Sequence, residues 1–197
     1  MNYQARASAA ALRSEFRRVA GVRHKCFVSY HHEDDDEVAA FIDRFSDVFV
    51  ARALGVSNGD TDLINSTRPD YVMRRIRELY LRDSTVTIVM IGACTSARRY
   101  VDWEIASSLR DDTNNKRSGL MAIELPSVSS KRRLLPPRLQ ANVFANQEGY
   151  GRFWKCPATK TGLENCIEDA FHARRDTSRV ATIDNSLDLF KNNRKCP

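Results

Sequence analysis

Hydrophobic positions change their spacing along the chain, and the changes predict alternating strands and helices. An apolar and aromatic run at residues 25–30 stops at a block of polar residues, which is typical of a buried first strand. Apolar residues then recur every three or four positions from Val38 onward, so we expect a helix from Asp34 or Asp35 to about Arg52. Runs at residues 84–93 and 118–125 predict buried strands, the first of them in the middle of a parallel sheet.

Two more helices are predicted on either side of the run at 84–93. The first begins at Ser66 or Thr67 and has a proline in its first turn, where the missing N–H costs nothing. Its expected buried stripe consists of Val72, Ile76 and Leu79. The second helix contains Glu104 and is expected to be capped by Thr95 or Ser96.

The C-terminal third of the chain has a weaker pattern. Four segments are predicted there: a loop at 126–140, an edge strand at 150–156, a helix from Leu163 to Arg174, and a frayed or partner-dependent tail from Asp176. Residues 53–69 carry turn signals and leave room for at most one brief strand. Strands and helices that alternate in this way predict one α/β domain with right-handed crossovers.

The positive charge lies at the two ends of the chain. Of the 197 residues, 31 are basic and 25 are acidic, a formal net charge of +6. Residues 1–25 hold six basic residues and one acidic residue, and residues 172–197 hold six basic and three acidic residues. The middle of the chain holds 19 basic and 21 acidic residues. A groove that follows phosphates needs its basic groups on the folded body, so nucleic acid is not an expected partner. No apolar run reaches the roughly 18 residues of a membrane span, so we expect no membrane partner.

The five cysteines are scattered and contain no C-x-x-C pair, which argues against a metal site and against disulfides. Cys26 and Cys94 lie in apolar runs and are expected to be small buried side chains in a cytoplasmic, reducing environment. The segment 1–24 is rich in Arg, Ala and Ser, and its apolar residues repeat with helical spacing. We interpret it as a basic helical arm for docking or oligomer formation, with an organelle transit peptide as the alternative.

Candidate chemistry lies at the carboxyl ends of two predicted strands. Ligands of open α/β sheets bind at this edge, where the strand order reverses. Residues 29–32 follow the first strand and residues 92–96 follow the strand in the middle. Glu104 lies beside Tyr100 on the flank of the next helix, where a carboxylate can be partly desolvated, with a raised pKa, and still reach a ligand. The alternative is a solvated surface acid paired with an arginine of the preceding turn.

Three ligand chemistries of α/β sheets do not fit the sequence. A phosphoacceptor domain needs an Asp where the central strand ends, and this chain has Gly92 and Ala93 there. A flavin site needs a Ser-, Thr- or Gly-rich phosphate loop after the first strand, but two His and a run of acids follow it. The G-x-G-x-x-G motif is missing as well. One carboxylate among aromatics and hydroxyls remains, which suffices to cleave the nicotinamide–ribose bond of NAD, because nicotinamide leaves without a general acid.

Two segments of the chain resemble TIR and TIR-like domains. "KCFVSYHHEDDDEV" is similar to their opening strand and loop, and "TSARRYVDWEI" is similar to the helix in which an aromatic residue precedes the catalytic glutamate by four positions. With "TVTIVMIG" between them, the ordered set is particularly similar to the TIR-like proteins of the bacterial Thoeris anti-phage system, over about residues 25–125. The resemblance implies a flavodoxin-like, doubly wound α/β fold, a mostly parallel sheet with helices on both faces.

The resemblance also implies an enzyme that consumes NAD and makes a cyclic ADP-ribose-type messenger, which activates a separate effector, with no cofactor and no metal. Carried over by position, Glu104 is the catalytic acid that contacts the ribose. The implied substrate-binding residues are Ser29, Tyr30, His31, Tyr100 and Trp103. The indole of Trp103 shields the site or, alternatively, is a buried aromatic that fixes the helix, and His31 is alternatively a loop residue without a ligand.

Beyond the resemblance, the chain divides into three predicted parts. These are the N-terminal arm at 1–24, the TIR-like domain at 25–175 and the C-terminal tail at 176–197. The arm and the tail have no counterpart in the shared core, and self-association of the chain is an expectation that the sequence does not specify further. The alternative function is a non-catalytic TIR-like interaction module, in which the helix that contains Glu104 packs against a partner protein.

Overall fold

One parallel sheet organises the protein. The computed structural model describes residues 23–53, 68–113, 116–129, 134–143 and 149–197. The five strands of the sheet are β1 (His24–Ser29), β2 (Phe49–Ala53), β3 (Val86–Ile91), β4 (Gly119–Glu124) and β5 (Arg152–Lys155). The α-helices of the described residues are α1 (Asp35–Arg44), α2 (Pro69–Ile76), α3 (Arg99–Leu109), α4 (Pro137–Val143), α5 (Lys160–Ala173) and α6 (Thr177–Val180). Nearly all of the predicted N-terminal arm, and the predicted caps Ser66 and Thr67, lie outside the described residues.

The strand order is β2-β1-β3-β4-β5, and every neighbouring pair is parallel. This is the flavodoxin-like order, in which the winding reverses between β1 and β3. Alternate residues of the strands face opposite sides of the sheet. One side packs against α1 and α5, and the other side carries two hydrophobic clusters, one with α3 and α4 and one with α2 and α3. The predicted fold class, a doubly wound α/β sheet with helices on both faces, is confirmed.

The helix α1 ends at Arg44, so the prediction that it continues to about Arg52 was wrong. Residues 45–48 form a turn, in which the N–H of Val48 donates to the carbonyl of Phe45 at 2.9 Å, and β2 follows directly. Phe45, Val48 and Phe49 are buried in the same core as the apolar face of α1. Because a turn and a strand bury these side chains as well as a helix would, their spacing could not reveal where the helix ends.

The helix α2 continues into a π-helical turn at Arg77–Leu81, which changes the residues that face inward. The N–H of Arg82 donates to the carbonyl of Arg77 at 2.9 Å, five residues back. A π turn adds one residue to the helix, so the inward position moves from Leu79 to Tyr80. Leu79 is 44% exposed and Tyr80 is 6% exposed, which corrects the predicted stripe at that position, while its other two members are buried.

The helix α3 begins at Arg99, after a 3-10 turn at Thr95–Ala97, so neither predicted residue caps it. The hydroxyl of Thr95 instead accepts a hydrogen bond from the N–H of Gly92 at 2.9 Å and fixes the loop after β3.

A further correction concerns residues 126–140, where we expected only a loop. The short helix α4 begins at Pro137 there, and it is too short for its apolar spacing to be recognised as helical.

The end of the chain, residues 184–197, packs across α3, and we call this segment the C-terminal strap. Asp102 and Arg138 form a buried ion pair that holds it: Nε of Arg138 lies 2.9 Å from Oδ1 of Asp102, and each residue is 1% exposed. Oδ2 of Asp102 accepts the N–H of Phe190 at 3.0 Å. The guanidinium of Arg138 donates further hydrogen bonds to oxygens of Asn185, Leu187 and Asp188. The expectation of a frayed tail was therefore wrong.

A disulfide between Cys94 and Cys196 ties the end of the C-terminal strap to the loop after β3. The expectations that the chain forms no disulfide and that Cys94 is simply a small buried side chain were wrong. The two cysteines are 102 residues apart in sequence, and only the path of the strap across α3 brings them together. Cys26 is buried and free, as predicted.

We expect the ion pair between Asp102 and Arg138 to be a main source of stability for the strap. Asp102→Ala and Arg138→Ala should each lower the free energy of unfolding by about 3–5 kcal/mol, because each leaves a buried charge without its partner. The double variant should lose clearly less free energy of unfolding than the sum of the losses in the two single variants, since no buried charge is then left without a partner. Arg75→Ala is the matched control, because it breaks an exposed ion pair with Glu78 and should cost less than about 1 kcal/mol. Urea unfolding measures all four variants, and additive losses would contradict the coupling.

Candidate active site

A cavity of about 660 Å³ opens at the carboxyl end of β1, the strand that lies beside β3 where the winding of the sheet reverses. This volume lies within the range of small-molecule sites, and the position is the one at which doubly wound sheets bind their ligands. Its walls come from the end of β1 and the following turn, from Val72 and Ile76 of α2, from the start of α3, and from Asn193 of the C-terminal strap. Four separate segments of the chain therefore converge on one cavity.

Glu104 of α3 lines this cavity and is only 4% exposed. The hydroxyl of Ser29, at the end of β1, donates a hydrogen bond to Oε2 of Glu104 at 2.6 Å. Burial raises the pKa of the Glu104 carboxyl to about 8, and the hydrogen bond from Ser29 lowers it in part. The interpretation of Glu104 as a solvated surface acid, which the helix pattern alone favoured, is therefore wrong, and the alternative of a desolvated carboxyl at the edge of a ligand site agrees with the structure.

The sequence of α3 holds Glu104 in this place through polar contacts inside the helix and with the sheet. The hydroxyl of Ser108 donates to the carbonyl oxygen of Glu104 at 2.8 Å. The hydroxyl of Thr87 in β3 in turn donates to Oγ of Ser108 at 2.8 Å. Val101 and Ile105 pack into the core on either side of Glu104 in sequence. The carboxyl is thus carried on a rigid helix that is pinned to the central strand.

Aromatic and basic side chains surround the rest of the cavity. Arg99 stacks on Tyr100, with its guanidinium carbon 4.8 Å from the ring centroid, and one of its Nη atoms donates to the Tyr100 hydroxyl at 3.1 Å. In the described part of the chain, the Nε atoms of Arg98 and Arg99 are buried and have no hydrogen-bond partner. Two unpaired guanidinium nitrogens beside a cavity can receive the oxygens of an anionic ligand.

The turn after β1 contributes Tyr30, His31 and His32 to the cavity, and α1 contributes its first residue, Asp35. Burial raises the pKa of the Tyr30 hydroxyl, with further contributions from its hydrogen bond to Asp35 and from the charges of Asp35 and Glu104. Burial also lowers the pKa of His31, which is 4% exposed, and the positive charge of Arg98 lowers it further. Tyr30 is therefore a neutral hydroxyl and His31 a neutral imidazole at pH 7.

The structure brings five of the six predicted site residues together. Tyr30, His31, Tyr100 and Glu104 line the cavity, and Ser29 reaches it through its hydrogen bond to the glutamate. Trp103 does not line it. The indole is fully buried in the core between α2 and α3, and its Nε1 donates to the carbonyl of Phe190 at 2.9 Å. Of the two interpretations of Trp103, its position agrees with the buried aromatic that fixes the helix.

Sequence reasoning missed the contributions of α2, Asp35 and Asn193 to the cavity. Val72 and Ile76 were predicted as core residues, and their spacing gives no sign that the same stripe also forms a cavity wall. Asn193 comes from the C-terminal strap, far away in sequence, and no local pattern could have placed it here.

One group of side chains near the cavity could hold a metal ion. Ligand atoms of His31, His32 and Glu33 lie within 4.8 Å of one another, and Nε2 of His31 is 3.3 Å from Oε2 of Glu33. His32 and Glu33 are exposed, and exposed groups of this kind are common without a metal. The same imidazoles are equally able to form hydrogen bonds with a nucleotide.

The sheet order and the buried glutamate at its switch point define a TIR-like α/β domain. The chain belongs to the family described as Thoeris protein ThsB, TIR-like domain, which matches residues 27–130, more than half of the chain. The protein is thus a TIR-like protein of anti-phage defence. No curated protein matches the chain. Every helix in the part of the chain that the structure describes is too short or too polar to cross a bilayer.

Ser29→Ala should raise the pKa of Glu104 above 8, because the hydroxyl of Ser29 favours the ionised carboxyl. Hydrogen bonds to charged groups of this kind correspond to a rise of about one to two pH units. Carboxyl ¹³C NMR titration measures the shift, and Glu104→Gln identifies the signal by its loss. Ser107→Ala is the matched control, since it removes a buried hydroxyl of the same helix that does not contact the Glu104 carboxyl. An unchanged titration in Ser29→Ala would contradict the hydrogen bond.

Proposed function

We propose that this protein cleaves the nicotinamide–ribose bond of NAD and joins the ADP-ribosyl group onto itself, which gives a cyclic ADP-ribose-type messenger. The observation that carries the proposal is the position of Glu104, a single buried carboxyl in a nucleotide-sized cavity at the switch point of the sheet. Membership of the TIR-like Thoeris family supports the same chemistry.

The reaction needs one carboxylate and no acid for the leaving group. Nicotinamide departs from a cationic pyridinium with the bonding electron pair and becomes neutral, so no proton has to be supplied. Positive charge then develops on the ribose ring, and an ionised Glu104 beside it stabilises this transition state more than the ground state. Hydrogen bonds from the ribose hydroxyls to the same carboxylate would hold the sugar in place.

The pKa of about 8 makes Glu104 mostly protonated at pH 7 while the cavity holds no cation. A bound pyridinium cation reverses this, because a positive charge nearby in a buried site lowers the pKa of a carboxyl. Substrate binding therefore generates the carboxylate that the reaction requires. Ser29 assists, since its hydroxyl donates to the ionised form.

The other groups around the cavity fit the remaining parts of the dinucleotide. The unpaired Nε atoms of Arg98 and Arg99 suit the diphosphate, and the rings of Tyr30 and Tyr100 suit stacking against a base or the nicotinamide. The aromatic and apolar residues of the cavity would limit the access of water to the cationic sugar once NAD fills it, so a nucleophile of the same molecule can react first. Attack by an adenine nitrogen or a ribose hydroxyl closes the ring, and a hydroxyl loses its proton in that step.

In this proposal the protein acts in the cytoplasm, and NAD is its substrate rather than a cofactor. The cyclic product diffuses to a separate effector protein, so the two need not form a complex. Self-association through surfaces outside the cavity is compatible with this scheme.

Glu104→Gln should reduce NAD consumption by about 100- to 1,000-fold, because it removes the charge that stabilises the transition state and keeps the shape of the side chain. Purified protein is incubated with NAD, alone and with extract of phage-infected cells, and nicotinamide and the cyclic product are measured by chromatography and mass spectrometry. Glu168→Gln is the matched control, since Glu168 is a buried carboxyl that contacts His24 outside the cavity. It should retain activity.

If the wild-type protein forms no product under either condition, or if Glu104→Gln forms as much as the wild type, the enzymatic proposal fails. The non-catalytic interaction module would then be the better description of the domain.

The pH dependence should follow the raised pKa of Glu104. The free protein loses the Glu104 proton near pH 8, so kcat/KM should rise about tenfold per pH unit below that value and level off above it. The bound pyridinium lowers the pKa, so kcat should level off at a distinctly lower pH than kcat/KM does. Initial rates between pH 5.5 and 9.5, at saturating and at low NAD, give both profiles. Two identical profiles would contradict ionisation by the substrate.

A further inference from the structure

The C-terminal strap forms part of the candidate active site as well as part of the core. Asn193 lines the cavity, and its Oδ1 accepts the backbone N–H of Arg99 at 3.0 Å. Arg99 is the first residue of α3, and the residue before it, Arg98, makes no side-chain cap. Asn193, near the end of the chain, thus supplies the capping oxygen for α3 that the residue preceding the helix does not provide.

Two attachments hold Asn193 in this place. On one side, the N–H of Arg194 donates to the carbonyl of Ala97 at 2.8 Å. Beyond it, the disulfide between Cys94 and Cys196 joins the strap to the loop that precedes α3. Further back, Phe190 is attached to α3 through Asp102 and Trp103. The stretch from Lys191 onward is therefore held at both of its ends. Hydrogen bonds hold it at Phe190, and the covalent disulfide holds it at Cys196.

We propose that thiol–disulfide exchange at Cys94 and Cys196 regulates the cavity by fixing or releasing Asn193. In the oxidised protein Asn193 caps α3 and completes the cavity wall, and nucleotide binds. In the reduced protein residues 191–197 leave the wall, the first turn of α3 loosens, and nucleotide binds more weakly. The effect on nucleotide rests on the proposed function, whereas the movement of the strap does not.

The exchange needs a dithiol reductant, either a small molecule or a protein. One thiolate of the reductant attacks a sulfur of the disulfide, the S–S bond breaks, and the other cysteine leaves as a thiolate that takes up a proton. The second thiol of the reductant then resolves the mixed disulfide, so the reductant is oxidised and the protein gains two thiols. In a cytoplasmic protein such disulfides are mostly transient and redox-sensing, which suits a switch better than a permanent crosslink.

Phe190 keeps the change local. Its backbone N–H and carbonyl remain bonded to Asp102 and Trp103 when the disulfide is open, and these buried contacts do not depend on either cysteine. Reduction therefore frees only the last seven residues and leaves the core of the strap in place. Asn193 is a positioning residue in this scheme, because it acts on the cavity through the start of α3.

Hydrogen–deuterium exchange on the full chain tests the proposal directly. Oxidised wild type is compared with wild type reduced by dithiothreitol and with Cys196→Ser. Reduction and Cys196→Ser should both raise exchange in residues 191–197 and at the first turn of α3, and calorimetry should give an NAD affinity about three- to tenfold weaker, as loss of a helix cap suggests. Cys156→Ser removes a free thiol outside the disulfide and is the control, which should behave like the oxidised wild type.

Variants of Asn193 separate capping from general stability. Asn193→Ala should reproduce the faster exchange in the first turn of α3 with the disulfide intact, whereas Asn193→Asp keeps the accepting oxygen and should restore slow exchange. Asn192→Ala changes the neighbouring exposed asparagine and should have no effect.

Equal exchange of α3 in the oxidised and reduced proteins would overturn the proposal, as would equal NAD affinity in the two states. If NAD binds in neither state, the proposed function fails, and the exchange data alone decide the role of the strap.

Discussion

The burial of one ionisable group, the carboxyl of Glu104, is the constraint on which the rest of the site depends. Its pKa of about 8 means that the folded protein holds a proton that the unfolded chain, with an ordinary pKa of 4.5, has already released at neutral pH. The folded state therefore loses stability as the pH rises from 4.5 towards 8, by about 3 kcal/mol at pH 7. A carboxyl with only a structural role would gain nothing from this arrangement, whereas one that ionises next to a bound cation gains reactivity.

Two other buried polar residues of the surrounding helix, Asp102 and Ser108, have partners that hold the helix in place and offset part of this cost. Nine consecutive residues of α3, from Val101 to Leu109, are buried, so the helix has no solvated face along most of its length. Asp102 is paired with Arg138, and Ser108 is bonded to Thr87 of the central strand. Glu104 alone among these groups faces a cavity. The helix is rigid because it is enclosed, and that rigidity fixes the carboxyl relative to Ser29.

The fold and much of the site could be predicted because they follow from local spacing. The β-branched run of β3 and the position of Tyr100 and Glu104 on one flank of α3 are visible in the sequence, and the structure agrees with both. Prediction failed at the end of α1 because a longer helix and a turn followed by a strand would both bury the same apolar residues. It failed at Leu79 because the π-helical turn changes the number of residues per helical turn there. Asn193 and the disulfide could not be predicted at all, because they depend on where the chain returns, 94 residues after Arg99 and 102 residues after Cys94.

The buried contacts of the C-terminal strap extend the packed structure beyond the family match. The family match ends at residue 130, but Arg138 and Phe190, which satisfy the two oxygens of Asp102, come later. A fragment trimmed to the match would keep the glutamate and lose the neutralising partner of a fully enclosed aspartate two positions away. The family match and the set of residues that pack together are thus different lengths of the same polypeptide, and the observed packing of α3 requires the longer one.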